Sequence, residues 1–263
     1  MVYVLIFVFV FGVVIGSFLN VVILRYGTGQ SFVKGSSRCF SCGKKLSWHE
    51  LVPIFSFLIQ KGRCRGCGSK ISWQYPVVEF LTGALFVATF FQLSTSEVDS
   101  WRVLFLWVIV SLLIIISVYD IKHFIIPNKI VWIFNGLAFA MLFCGFFYQG
   151  PSLVVLPRTV LGSFLGGLAF FSFFALLWLV SKGKWMGFGD AKLALGLGWF
   201  LGPSQTFSAF LISFWLGAVV GIGLLALSKY SLKSQIPFGP FLVAGAVISF
   251  LFDLNIFGLL YGG

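Results

Sequence analysis

The chain has 263 residues, 59% hydrophobic and 10% charged, with a mean hydropathy of +1.05. No soluble globular domain can hide that apolar share, so the composition excludes a soluble enzyme and predicts an all-α polytopic membrane protein. The net charge of +11 requires its own account, because a basic surface can also serve nucleic acid.

About 20 apolar residues cross the hydrocarbon as a helix, so the spans can be counted. Hydropathy places eight, at roughly 3–24, 76–93, 102–119, 127–148, 157–181, 191–203, 206–228 and 238–252. The first lacks a basic n-region and a small-residue cleavage site, so it is expected to stay as a span rather than be removed as a signal peptide. The sixth is short and carries Gly196, Gly198 and Gly202, so a tilted or re-entrant course is expected. Small-residue pairs four apart (Gly12 and Gly16, Gly162 and Gly166, Gly217 and Gly221) are expected to let helices pack closely.

Sixteen of the 18 Lys and Arg residues fall in one set of loops, nine of them between Arg25 and Lys70. Only Arg102 and Arg158 fall in the other set. This asymmetry predicts an outside N-terminus and cytosolic basic loops, which accounts for the charge without any nucleic-acid partner. Three regions are expected: a first transmembrane helix at 1–24, a cytosolic four-cysteine module at 25–75, and a transmembrane core at 76–263.

The module contains an internal repeat. C-F-S-C-G-K-K-L-S-W begins at Cys39 and C-R-G-C-G-S-K-I-S-W at Cys64, an offset of 25 residues. The C-x2-C spacing lets two thiolates grip one metal from a tight turn, so Cys39, Cys42, Cys64 and Cys67 form a tetrahedral zinc set. Four cysteines close the coordination sphere, which points to a structural ion. Two disulfides are the competing reading, and a reducing cytosol opposes it. His49 is an alternative ligand or a solvated or capping histidine, and Cys144 in the fourth span is expected to be packing.

Asp120 lies in Y-D-I-K-H-F-I-I-P-N and Asp190 in G-F-G-D-A-K, in a chain with seven carboxylates. An ionisable group at the hydrocarbon layer costs about 2.5–3.5 kcal/mol on insertion scales, so such residues are rarely idle. Alternating topology brings both to the cytosolic face. Two neighbouring carboxyls that share one proton can act as acid and base in peptide-bond hydrolysis. The competing reading is helix capping, or pairing with Lys122 or Lys192. His49-Glu50 lacks the second histidine of H-E-x-x-H, and no phosphate loop or G-x-G-x-x-G strand-to-helix pattern is present.

These residues resemble the bacterial type IV prepilin peptidases, members of the wider G-x-G-D class of intramembrane aspartic proteases. The resemblance spans nearly the whole chain. It runs through G-S-F-L-N-V-V-I-L-R (Gly16–Arg25), the tandem cysteine pairs, K-G-R-C-R-G-C with I-S-W-Q-Y-P-V-V-E (Lys61–Glu79), D-I-K-x-x-x-I-P-N, M-G-F-G-D-A-K-L (Met186–Leu193) and I-P-F-G-P-F-L. Phe40 stands where the family commonly has proline.

The resemblance implies cleavage of a short basic leader from prepilins or pseudopilins at the cytosolic side of the bacterial inner membrane, with Asp120 and Asp190 as the catalytic pair. It also implies N-methylation of the new N-terminus with S-adenosylmethionine, for which Glu79 is a candidate cofactor-site residue. Asn20 and Glu79 equally suit structural roles near the interface. The Pro237-Phe238-Gly239-Pro240 break is expected to shape a substrate cleft or simply to enter the last span. Two other functions stay open on the residues alone. A transporter or channel would relay protons through the carboxylates and show ion flux, and a non-catalytic secretion-assembly subunit would tolerate loss of both aspartates.

Overall fold

The computed structural model describes residues 1–93, 100–143, 156–227 and 236–256, and their regular structure is helical apart from two isolated β-bridges. The chain forms two compact units, Met1–Ile115 and Ile116–Gly263.

The first unit holds α1 (Val2–Arg25), a 3-10 turn (Trp48–Glu50), α2 (Phe55–Ile59), α3 (Gln74–Leu93) and the start of α4 (Ser100–His123). Lipid offers no hydrophobic drive between helices, so close backbone approach must supply the packing. The α1–α3 seam does so through glycine. A Cβ at Gly12 would lie 2.8 Å from the Gly83 Cα, and one at Gly16 would lie 2.8 Å from the Glu79 Cα. Trp107 of α4 stacks on Phe86 at 4.9 Å and donates its indole N–H to the Phe86 carbonyl. Asn20, fully buried, donates to the Gly16 and Tyr75 carbonyls and accepts from Gln74. Its polar atoms are therefore satisfied at the α1–α3 joint, which is the structural role expected.

The second unit holds the end of α4, α5 (Asn128–Phe143), α6 (Leu156–Ser181), α7 (Phe188–Ala226) and α8 (Gly239–Leu251). α7 is broken at Gly202, whose φ of 74° and ψ of 171° are non-helical, immediately before Pro203. Glycine reaches this conformation without a Cβ clash, and the residue before proline is already disfavoured from the helical region. Ring contacts show that the chain reverses there. Phe188 meets Trp178 of α6 and Trp199 meets Phe164, after which Phe210 meets Phe170 and Phe214 meets Phe174. Contact descends α6 along the first arm and climbs it along the second. Small residues line the turn, with Gly162 and Gly166 facing Pro203.

By length and composition, five described helices are apolar enough to cross a membrane: α1, α3, α4, α6 and α7. Helix length therefore does not establish the eight crossings read from hydropathy. The predicted sixth and seventh segments are the arms of the α7 hairpin, and the first arm, at about 21 Å, falls short of the hydrocarbon thickness. Asn128–Leu142 and Gly239–Leu251 are shorter apolar helices. One expected packing pair is only half used, because Gly217 lies against Phe238 while Gly221 faces open space. Cys144 lies outside the described residues.

Candidate active site

Asp120 sits in the last turn of α4. Its carbonyl accepts the Phe124 N–H at 2.8 Å, and Phe124 takes a left-handed φ of 55° as the chain leaves the helix. The carbonyl of Pro127 then accepts the Val131 N–H and opens α5. A carboxylate in a C-terminal turn has the wrong sign for the helix dipole, so Asp120 is no cap. Asp190 is the third residue of α7, a position that does favour an anion.

Both side chains are buried, Asp120 at 4% exposure and Asp190 at 6%. The two carboxyls are close enough to interact electrostatically. Among the described residues neither forms an ion pair, and Asp190 Oδ1 has no hydrogen-bond partner. Lys192 is engaged elsewhere: its ammonium donates to Asn128 Oδ1 at 2.9 Å and lies 5.2 Å from the Phe188 ring centroid. The pairing of an aspartate with Lys192 is therefore not made.

Ile126 closes the site. A Cβ at Gly189 would lie 2.8 Å from Ile126 Cβ, and one at Gly239 would lie 3.2 Å from Ile126 Cδ1. Gly239 also presses on Asp120, where a Cβ would sit 2.7 Å from Oδ2. The I-P-N turn, the G-F-G-D entry of α7 and the P-F-G-P entry of α8 thus meet on one buried isoleucine. Sequence reading noticed each motif but not their meeting, because Ile126 looks like any other aliphatic residue. It also passed over Asn135. This fully buried side chain in α5 donates to the Lys192 carbonyl at 3.0 Å and sits against Gly196. Its only signal was an amide in the middle of an apolar helix.

The cysteine repeat folds as two equivalent turns. Gly43 N–H donates to the Cys39 carbonyl and Gly68 N–H to the Cys64 carbonyl, each at 2.9 Å. Both glycines are left-handed, with φ of 71° and 70°. The four Sγ atoms lie within 4.8 Å of one another, and Cys39 and Cys67 are 3.9 Å apart. A tetrahedron with Zn–S near 2.3 Å needs edges of about 3.8 Å, so the set fits a metal. All four thiols are free, and the disulfide alternative is not formed.

The backbone amides of Cys42 and Ser41 hold the Cys39 thiol down at about 6. Against the pull of the Lys44 amide, desolvation and the neighbouring Cys39 and Cys67 sulfurs push Cys42 up to about 11. Four clustered sulfurs resist full ionisation without a cation, which is the chemistry of a metal-ready set. His49 stands apart, with its ring against the Ser47 hydroxyl.

Glu50 was not singled out from the sequence, although S-x-x-E from Ser47 spells a capping box. It accepts the Ser47 amide and hydroxyl and pairs with Lys44 at 3.0 Å. Glu79 is buried, with Oε2 accepting the Ile54 N–H at 2.7 Å and the carboxyl meeting the Ser17 side chain. Its Oε2 is thus already engaged.

Residues 10–93 match the model of the bacterial peptidase A24 N-terminal domain, and residues 107–222 match that of the type IV leader peptidase family. Prepilin leader peptidase/N-methyltransferase of Bacillus subtilis (strain 168) is 32% identical, over 94% of this chain and 94% of that protein. The protein of the same description from Aeromonas hydrophila is 32% identical over 95% of this chain and 91% of its own length. That from Dichelobacter nodosus is 30% identical over 97% and 94%. No solved structure matches the chain. With similarity of this extent over both parts, the chain belongs to the type IV leader peptidase family.

Proposed function

We propose that this chain is a membrane aspartic endopeptidase of the bacterial inner membrane. It removes the leader of type IV prepilins or pseudopilins at the cytosolic face and N-methylates the new terminus. The observation that carries the peptidase reading is the pair of buried, interacting carboxyls of Asp120 and Asp190, which have no counter-cation among the described residues. One proton shared between them leaves one acid and one base. The ionised member takes a proton from water as it attacks the scissile carbonyl, and the protonated member donates to the carbonyl oxygen. The unpartnered Asp190 Oδ1 is free to meet that water. The excess of Lys and Arg in one set of loops supports the cytosolic orientation.

Cys39, Cys42, Cys64 and Cys67 would hold a zinc ion that staples a module too small to build a core, with no open position for catalysis. S-adenosylmethionine would supply the methyl group in the second activity. Glu79 remains the candidate residue for that site, although its Oε2 holds the Ile54 N–H, and no step is assigned to it.

The test is cleavage of a prepilin by purified protein and by Asp120→Asn and Asp190→Asn. Each variant should lose at least about 100-fold in rate, the scale of general acid–base catalysis. Cleavage that survives both substitutions removes the reading, and labelled S-adenosylmethionine in the same assay reports the methylation separately.

A further inference from the structure

The four-cysteine segment carries a feature that metal binding does not use. Phe55, Leu58 and Ile59 of α2 stand at i, i+3 and i+4, the spacing of one helix face, and are 66%, 60% and 68% exposed. Phe57 points the other way and is buried, its ring 4.9 Å from that of Trp73. The helix is therefore sided, with one aromatic anchor inward and three large apolar side chains uncovered, in a segment that also exposes Val33, Phe40, Trp48 and Trp73.

The position of this face follows from α3. Ile54, the residue before α2, donates its N–H to Glu79 Oε2 at 2.7 Å, and Glu79 lies in the second turn of the membrane-crossing α3. Trp73, which holds Phe57, directly precedes α3. Ile54 keeps a left-handed φ of 60° in this arrangement. α2 is thus held beside the start of α3, a helix long and apolar enough to cross a membrane. Val77 and Phe80 are likewise exposed on the first turns of α3.

The charge of the segment has one sign. Residues 26–73 contain Lys34, Arg38, Lys44, Lys45, Lys61, Arg63, Arg65 and Lys70, all exposed, against a single acid, Glu50, which is paired with Lys44. Exposed apolar side chains in a cationic segment match an anionic lipid interface, whereas a cationic peptide would be repelled by the same charges.

We propose that residues 55–59 are an interfacial anchor that seats the four-cysteine module on the anionic phospholipid surface of its own membrane. The full-length protein is placed in nanodiscs of phosphatidylglycerol bearing a diazirine next to the headgroup, irradiated, digested and mapped by mass spectrometry. Adducts on residues 55–59 are expected, falling about tenfold when the lipid and probe are phosphatidylcholine. Adducts on α1 and α3 with none on 55–59 overturn the proposal, and equal labelling by both lipids overturns its anionic component.

The double variant L58E/I59E should keep the metal content of the parent, lose the adducts, and open Lys61 and Arg63 to trypsin in discs. Unchanged trypsin resistance with the metal retained would sink the anchor. Should this variant lose its metal, the milder Leu58→Gln carries the same comparison. In detergent, prepilin cleavage by L58E/I59E should equal that of the parent, and a raised KM there would assign the face to substrate instead. The labelling needs no peptidase activity, so its outcome is independent of the proposed reaction.

Discussion

Gly239 stands so close to Asp120 that a methyl group at its Cα would lie 2.7 Å from the carboxyl oxygen Oδ2. The glycine belongs to the entry of α8 and the aspartate to the end of α4, so the first turn of one helix sets the position of an acid on another. Gly239→Ala should push the Asp120 side chain away from Asp190 while leaving the fold intact. Misplacing a reacting group by about 1 Å can cost about 100-fold, so kcat for prepilin cleavage should fall by 10- to 100-fold with KM little changed. Wild-type kcat in this variant would show that the contact does not position the acid.

The α1–α3 seam should be intolerant of added volume. A Cβ at Gly12 meets the Gly83 backbone at 2.8 Å, and backbone cannot rotate aside as a side chain can. Gly12→Val should cost about 1–3 kcal/mol in overpacking, visible as a lower unfolding temperature of the detergent-solubilised protein. Gly221→Ala, at a site facing open space, should leave that temperature unchanged.

Each cysteine of the cluster should be needed for the metal. Cys64→Ser and Cys42→Ser each leave three thiolates, and metal content measured under reducing conditions should drop from one zinc per chain to near zero. Cys64 is buried and Cys42 exposed, so the Cys64 variant should also be the more protease-sensitive of the two. Equal, undiminished zinc in both would remove the four-cysteine site.

Glu50 should make the module acid-sensitive in a defined window. The Ser47 amide and hydroxyl, with Lys44, lower its carboxyl from 4.5 to about 2. A carboxyl depressed by folding contributes stability that is complete above its ordinary value and fades as pH falls toward its folded one. The stability advantage of the parent over Glu50→Gln, followed by thermal unfolding, should be constant above about pH 5 and shrink between about 4.5 and 2. An advantage that persists unchanged at the acid end would mean that Glu50 acts by packing rather than by charge.

The all-helical class, the cysteine cluster and the two aspartates were legible in the chain because each is a local pattern. Apolar run length is a property of adjacent residues, and a 25-residue repeat that places Arg38 and Lys45 in register with Arg63 and Lys70 declares its own symmetry. The glycines of the short sixth segment likewise marked an irregular course, and that segment and the next became the arms of α7. What stayed hidden depends on residues distant in sequence. Nothing beside Ile126 announces that Gly189 and Gly239 will close on it, and no glycine marks Ile54 as left-handed.

By itself the sequence determined which residues are chemically able to act: the carboxyls, the thiols and the helices that carry them. Only the tertiary structure decided that Asp120 and Asp190 are buried within interaction range of each other, that Gly239 limits the room beside Asp120, and that Glu79 is engaged by Ile54. The reason is physical. Composition and spacing set local propensity, whereas burial and contact across α4, α7 and α8 arise from packing that no short stretch of chain encodes.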